Sequence, residues 1–357
     1  MAAGHPWPRL GIRRAALAVL LALLAGVFLL SLTLGSVDIP IKDILKILVG
    51  DEPQRSAWTT IVMKFRLPKA ITATLAGAAL AVAGLEMQTL FRNPLADPFV
   101  LGINSGASLG VALVVLSVGV AGVSATSMLA GLGLGGNLTL VTAASLGAGL
   151  VLAFMLLVAQ RVRSTMTLLI LGIMVGYATS ALVSLLLYFN IAERIQAYVS
   201  WTFGSFGGVT WGQMQVLGPV VVVALATAMI LAKPLNALLL GETYARSMGL
   251  NVRWARFWII ISAAGLAGAI TAFCGPIGFL GIAVPHLCRS LFNTSDHRVL
   301  VPGSALLGAM MALVADIIAQ MPGSQTTLPI NAVTALIGSP VVIWVIMKNR
   351  NLKSSFS

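Results

Sequence analysis

The sequence predicts an all-α, polytopic membrane protein with about ten transmembrane helices. Three observations lead there. Of 357 residues, 58% are hydrophobic and 9% are charged, against about 25% charged in an ordinary soluble domain. Uncharged apolar runs recur along the chain, long enough to cross about 30 Å of hydrocarbon and too long for barrel strands. The 36 glycines suit close helix contact, because small residues let backbones approach in lipid.

Taken in order, Arg13 and Arg14 precede an uncharged run at 15–34, which exceeds a signal peptide's apolar core and reads as a retained first span. The stretch 35–60 leaves the membrane. Within it, Ile39, Ile41, Ile44, Leu45, Ile47 and Leu48 alternate with Asp38, Lys42, Asp43 and Lys46, the pattern of a short amphipathic surface helix. Further spans are expected at about 67–90, 99–122, 138–159, 165–189, 211–232, 254–274, 276–290, 299–321 and 328–347. A Gly/Ser-rich stretch at 123–137 reads as a loop or short broken helix. The whole chain, 1–357, forms one transmembrane domain.

Ten spans put both termini on one side. With the N-terminus cytoplasmic, fifteen of the 22 lysines and arginines fall in or beside inner loops and seven on the outside. That bias satisfies the positive-inside rule and accounts for the net charge of +12 without invoking nucleic acid. Two cysteines, Cys274 and Cys288, make no disulfide framework.

Polar islands interrupt the apolar background. In Gly275 to Arg289, three glycines, two prolines, a histidine and an arginine fall close together. Glycine weakens a helix and proline removes a donor, so this is a plain loop or a break packed beside a pathway. As a pathway joint, Gly275, Gly278, Gly281 and Pro285 would let the eighth span shift against the seventh. His286 and Arg289 would then fix its inner end by hydrogen bonds. Arg92-Asn93-Pro94-Leu95-Ala96-Asp97-Pro98 forms a stiff inner turn, followed by a small-residue stripe at Gly102, Gly106 and Gly110. The longest inner loop, 233–256, mixes Leu235, Leu238, Leu239 and Leu240 with Glu242, Arg246 and a Gly249 stop. It reads as a short amphipathic helix or helix pair, resting on the bilayer or docking into a cytosolic partner. Outside, Lys64, Arg66 and Lys69 run against the charge bias. They are either snorkelling anchors or a surface for an acidic partner.

Ionisable residues inside the membrane are scarce: Glu86 and Asp316, far apart in depth. No lysine follows a glycine, so the chain has no P-loop and is not itself an ATPase. His286 and Cys288 do not share a helical face, and no metal site is expected.

In order along the chain, Arg66-Leu67-Pro68-Lys69, Gly77-Ala78-Ala79-Leu80-Ala81, Arg92 to Pro98, Leu240-Gly241-Glu242, Gly275 to Arg289 and Leu328-Pro329 resemble the FecCD family of ABC importer permeases. That family serves ferric siderophores, haem and cobalamin, and the resemblance runs from about residue 12 to 350. It implies a type II importer permease in the bacterial inner membrane, paired with a second copy or homologue. Two cytosolic ATPases, which would bind ATP and Mg, would sit beneath, and a periplasmic or lipid-anchored binding protein would deliver substrate. Carried over by motif, Asn236, Leu240, Gly241, Glu242, Arg246 and Gly249 match the ATPase-coupling helices. Arg66 and Lys69 match residues that dock the binding protein. Asn93, Leu95, Ser164 and Thr165 match the cytoplasmic gate.

The chain departs from the family's pattern at two outer positions. Gln320 stands where another docking arginine is common, and Lys69 where arginine is usual, which turns a bidentate clasp into a point charge. Arg55 is a substitute candidate. The expected function is import of a metal chelate, a ferric siderophore first, with cobalamin or haem as alternatives. An autonomous proton-coupled transporter using Glu86 or Asp316 is the alternative of another class.

Overall fold

The structure, a computed structural model, describes residues 9–116, 137–162, 164–321 and 326–348. The order of helices is α1 (Arg9–Thr33), α2 (Ile41–Val49), α3 (Ser56–Ile61), α4 (Leu67–Leu90), α5 (Ile103–Leu116), α6 (Asn137–Arg161), α7 (Thr165–Tyr188) and α8 (Ala192–Thr202). Then follow α9 (Trp211–Ile230), α10 (Ala232–Leu239), α11 (Glu242–Ser247), α12 (Val252–Cys274), α13 (Leu280–Phe292), α14 (His297–Gln320) and α15 (Ile330–Lys348). A π-turn at Val62–Arg66 carries α3 straight into α4. Among the described residues, seven helices are long and apolar enough to cross a membrane, and α5, α13 and α15 are shorter apolar ones. Together they match the expected ten.

The core is built on α4, which packs against α14, α12, α13 and α9. Nineteen of its 24 residues are buried, most of them alanine, glycine or other small groups. Backbones meet at two crossings. A Cβ built on Gly77 would overlap the Gly308 carbonyl of α14, and one on Gly84 would overlap the Gly281 carbonyl of α13. A second close pair is α5 on α6, where Gly106 and Gly110 face Gly147 and Ala143. Gly102, the first residue of that stripe, instead takes a left-handed φ of 76° to close the Pro98–Leu101 turn. By contrast α1, α7 and α9 expose long apolar faces, the surface left for lipid or another subunit.

Local signals explain the element ends. Ser164 accepts from Thr167 N to cap α7, and Thr210 with Gln213 forms a reciprocal capping box at α9. The amphipathic helix expected after the first span is α2, with Ile44 and Ile47 buried and Ile41, Leu45 and Leu48 exposed. Two features differ from expectation. The eighth helix begins at Leu280 rather than 276, because Gly275 (φ 77°) and Phe279 (φ 69°) both sit in left-handed backbone. The short helix α8, AERIQAYVSWT, carried no clear apolar run and was not expected. The Gly/Ser-rich stretch 123–136, and residues 117–122 of the third expected span, lie outside the described residues.

Gly84→Ala should therefore destabilise the fold by about 1–3 kcal/mol or more, since backbone, not a movable side chain, fills the space. Gly149→Ala, on the open face of α6 with nothing within 4 Å, should be neutral or stabilising. Thermal unfolding of the two variants in the same detergent checks the opposite signs.

Candidate functional site

The loop 233–256 folds into two short helices, α10 and α11, hinged at Gly241 with a φ of 104°. Gly249 (φ 83°) then ends α11, its N–H bonding the Arg246 carbonyl. Glu242 is the first residue of α11, and its carboxylate ties the loop to two spans. Oε1 accepts from Thr165 Oγ1 at the foot of α7 and from Arg256 Nη2 of α12, both at 2.7 Å. Oε2 pairs with Arg246 Nη2 at 3.3 Å. The Arg256 side chain is only 4% exposed, and its Nη1 also donates to the Val162 carbonyl at 3.1 Å. Burial alone would raise the Glu242 carboxyl. The hydrogen bond from Thr165 and the charges of Arg256 and Arg246 outweigh it and hold the group below the usual carboxylate range.

Asn236 anchors α10 to the start of α14. Its Nδ2 donates to Asp296 Oδ1 at 2.7 Å, while its Oδ1 accepts from His297 N at 2.8 Å and from Nδ1–H of the same ring at 2.7 Å. The other ring nitrogen lies 2.8 Å from Thr89 Oγ1 at the end of α4. Asp296 meanwhile caps α14 by accepting from Arg298 N. Burial works against its ionisation, but the Arg298 amide, Asn236 and nearby positive charge keep its carboxyl below the ordinary value. Leu240 stands 61% exposed at the tip of the loop.

The Arg92–Pro98 turn lies beside this loop: a Cβ on Gly241 would sit 3.6 Å from Arg92 Nη1. Asn93 Oδ1 accepts from Leu95 N at 3.0 Å, closing an Asx turn that leaves the Leu95 side chain exposed. Thus the structure joins Asn93 to Leu95, and Thr165 to Glu242, while Ser164 serves as the cap of α7. His286 Nε2–H donates to the Pro94 carbonyl at 2.8 Å, and Arg289 Nη1 donates to Gln88 Oε1 at 2.6 Å. Gln88 in turn donates to the Gly281 and Ile282 carbonyls. α13 is thereby tied along its length by hydrogen bonds to α4 and to the turn.

The residues read as a joint divide in two. Gly275 and Gly278 lie in the non-helical stretch before α13. The first sits where a Cβ would come 2.5 Å from the Trp201 carbonyl, and the second donates its N–H to Asn331 Oδ1 at 3.1 Å. Gly281 and Pro285 are inside α13 and buried, and Gly281 serves close packing against α4 rather than freedom of the backbone.

At the other end lies an open cavity of about 790 Å³, lined among others by Arg66, Lys69, Phe206, Asp316 and Gln320. Arg66 donates to the carbonyls of Leu32 and Thr33 at 2.7 and 2.8 Å, and to that of Val37, so it caps the end of α1. Lys69 Nζ pairs with Asp316 Oδ1 at 3.0 Å, and Gln320 donates to the other carboxylate oxygen at 2.7 Å. Asp316 is thus held by two neighbours. Glu86 is fully buried in α4, away from both. Arg55 lies over the Trp58 ring, 5.5 Å from its centre.

Sequence reasoning missed Arg256, counted only as one more inner cation, and missed the pairings Lys69–Asp316, Gln88–Arg289 and Asn236–His297. The Ser-Asp-His sequence before α14 carried a cap signal that could have flagged Asp296. No local pattern announces the others.

The sequence at residues 22–348 matches the FecCD transport family. The chain belongs to that family. The vitamin B12 import system permease protein BtuC of Salmonella paratyphi A is 39% identical over 293 residues, covering 81% of this chain and 84% of its own. Its counterpart in Citrobacter koseri is 38% identical over 290 residues, 81% and 83% of the two chains. Among solved structures, a metal-chelate type ABC transporter in an inward-facing conformation aligns with a TM-score of 0.80 and 28% identity, covering 94% of this chain and 99% of that one. PsaBC from Streptococcus pneumoniae, in complex with Fab, aligns at 0.51 and 16% identity, over 87% and 99% of the two chains; it shares the fold alone. The FecCD chain described here is therefore a permease subunit of an ABC importer, a multi-span inner-membrane protein of a family whose members are not themselves enzymes.

Because the folded Glu242 carboxyl is held low, its contribution to stability is complete above about pH 4.5, the unperturbed value. It is lost as pH falls through the lower folded value. The difference in Tm between the wild type and Glu242→Gln should stay constant at neutral pH and close under strongly acidic conditions. Thr165→Val, which deletes one hydrogen bond to the same oxygen, should cost about 1 kcal/mol in the same assay at neutral pH.

Proposed function

We propose that this permease works as one of a pair, with its N- and C-termini and the α10–α11 loop in the cytoplasm. Two ATPase subunits bind beneath that loop, and a binding protein delivers a metal chelate from the other side. The observation that carries this reading is the Glu242 carboxylate, which joins the exposed loop to the foot of α7 through Thr165 and to α12 through Arg256. A push on α10–α11 from the ATPases, which hold ATP and Mg, would pull on two spans at once. Leu240 at the loop tip supplies an apolar knob for the ATPase groove, and Asn236 keeps α10 in register with α14. On the same reading, the Asx turn at Asn93–Leu95 and the foot of α7 at Ser164–Thr165 close the inner end of the pathway. The stretch Gly275–Phe279 is a joint that lets α13 move relative to α12.

At the outer cavity the basic pair Arg66 and Lys69 faces the binding protein, and Lys69 receives one of its acidic side chains. Arg66 is already committed to carbonyls of α1, so the exchangeable partner is Lys69, which trades Asp316 for the incoming carboxylate. Relatives described as vitamin B12 import permeases favour cobalamin as the substrate. A ferric siderophore is the second reading, supported by the family's breadth and by the metal-chelate type neighbour. A proton-coupled transporter has less support, since Asp316 is held by Lys69 and Gln320.

Uptake into proteoliposomes holding the reconstituted complex, offered cobalamin, a ferric siderophore or haem separately, decides the substrate. The expected outcome is ATP-dependent cobalamin accumulation. Glu242→Arg should abolish uptake while leaving the permease inserted and folded; unchanged uptake with unchanged ATPase co-purification would defeat the coupling role. Gly278→Leu should block uptake without affecting ATPase binding, whereas normal uptake would make the break before α13 a static turn.

A further inference from the structure

A second cavity, about 340 Å³ and open on one side, lies between the end of α6 and the start of α12. It is lined by Val162, Asn251 and three arginines, Arg246, Arg253 and Arg256. Among the described residues, one carboxylate forms ion pairs with this cluster. Glu242 is shared by Arg246 at 3.3 Å and Arg256 at 2.7 Å. Arg253 is exposed and forms no ion pair among the described residues. The cavity therefore carries two more positive charges than negative ones, and guanidinium forks match phosphate oxygens in a bidentate way.

The surrounding surface says where that phosphate would come from. On the first two turns of α12, Val252, Ala255, Arg256, Ile259 and Ile260 are buried, while Arg253, Trp254 and Trp258 face outward. The two indoles stand one turn apart with ring centres 6.1 Å from each other, Trp254 being 53% exposed. Tryptophans in such a position mark the headgroup layer at the end of a membrane-spanning helix, and α12 is a 23-residue span of that kind. Soluble anions would need no aromatic fringe.

We propose that this cavity binds the phosphate of an anionic phospholipid in the leaflet beside the start of α12. On the orientation proposed above this is the cytoplasmic leaflet, which is the only part of the inference that rests on that reading. Arg246 and Arg256 then divide their donors between the lipid phosphate and Glu242, so lipid occupancy sets how tightly the loop α10–α11 is held to α12.

The test is native mass spectrometry of the intact permease–ATPase complex released from nanodiscs of phosphatidylcholine, with or without phosphatidylglycerol. Arg253 is the residue to vary, because it takes no part in holding Glu242. Wild type should retain phosphatidylglycerol through detergent exchange, Arg253→Ala should retain it about fivefold less, and Arg253→Lys should recover most of the loss. Equal retention by wild type and Arg253→Ala would overturn the proposal. So would displacement of the lipid by inorganic phosphate at matched ionic strength, which would identify a site for free anions. Loss of the ATPase subunits from Arg253→Ala with lipid retention unchanged would assign the surface to the ATPase instead. Retention is read without transport, so failure of the coupling role of Glu242 leaves this result standing.

Discussion

Backbone contact between α4 and its neighbours is the constraint from which the rest of the structure follows. Between helices in lipid there is little hydrophobic drive, and association depends on packing and on hydrogen bonds. Glycine at Gly77 and Gly84 lets α4 reach the carbonyls of Gly308 and Gly281, bringing α14 and α13 to their closest approach. Once α13 lies that close, Gln88 can donate to the Gly281 and Ile282 carbonyls, and its own oxygen can receive Arg289. The break before α13 is tolerated for the same reason. Non-helical backbone at membrane depth needs protein partners, and here Gly278 N finds Asn331 while Ser205 N finds the Cys274 carbonyl at 2.8 Å.

Among the described residues the ion pairs lie at the two ends of this apolar body, and they are built the same way at both. At one end a nearly buried Arg256 holds Glu242, whose side chain is 31% exposed. At the other, Asp316, 6% exposed, holds Lys69, 23% exposed. In each pair the inner member is fixed and the outer member is accessible. A fully exposed pair would be worth little, and a fully buried one would be costly to open. Half-exposed pairs lie between, stable enough to define a resting geometry and open to exchange with a charged partner. Arg66 lies outside this scheme. Its guanidinium replaces missing donors at the end of α1 and has a structural commitment that a docking residue does not need.

The fold class was legible because it depends on composition and run length, which are local. The amphipathic α2, the stop at Gly249 and the turn at Asn93–Asp97 were legible for the same reason, since each rests on neighbours within four residues. The Gly275–Arg289 stretch showed as a break but not its division of labour. That Gly275 provides conformation and Gly281 provides proximity depends on α4, almost two hundred residues away in the chain. Arg256 was missed because its partners, Val162, Thr165 and Glu242, come from three segments. Asp316 and Lys69 were each singled out and never paired, since helical periodicity says nothing about which helix stands opposite.

The two polar ends are joined most directly by α12. Its second turn carries Arg256, in the Glu242 clasp, and its last residue, Cys274, offers its carbonyl to Ser205 beside the 790 Å³ cavity. The helix is 23 residues long, about 35 Å, with no proline inside. A helix of this kind, buried on several sides along its length, moves as a rod or not at all. Displacement of the clasp would therefore reach the 203–208 segment that lines the cavity at the other end, while the non-helical stretch Gly275 to Phe279 lies just beyond. By this geometry a displacement of α12 need not carry α13, which is tied to α4 by Gln88 and to the Arg92–Pro98 turn by His286. A straight rod beside a helix tied along its length to α4 separates what can shift with the clasp from what stays with the core.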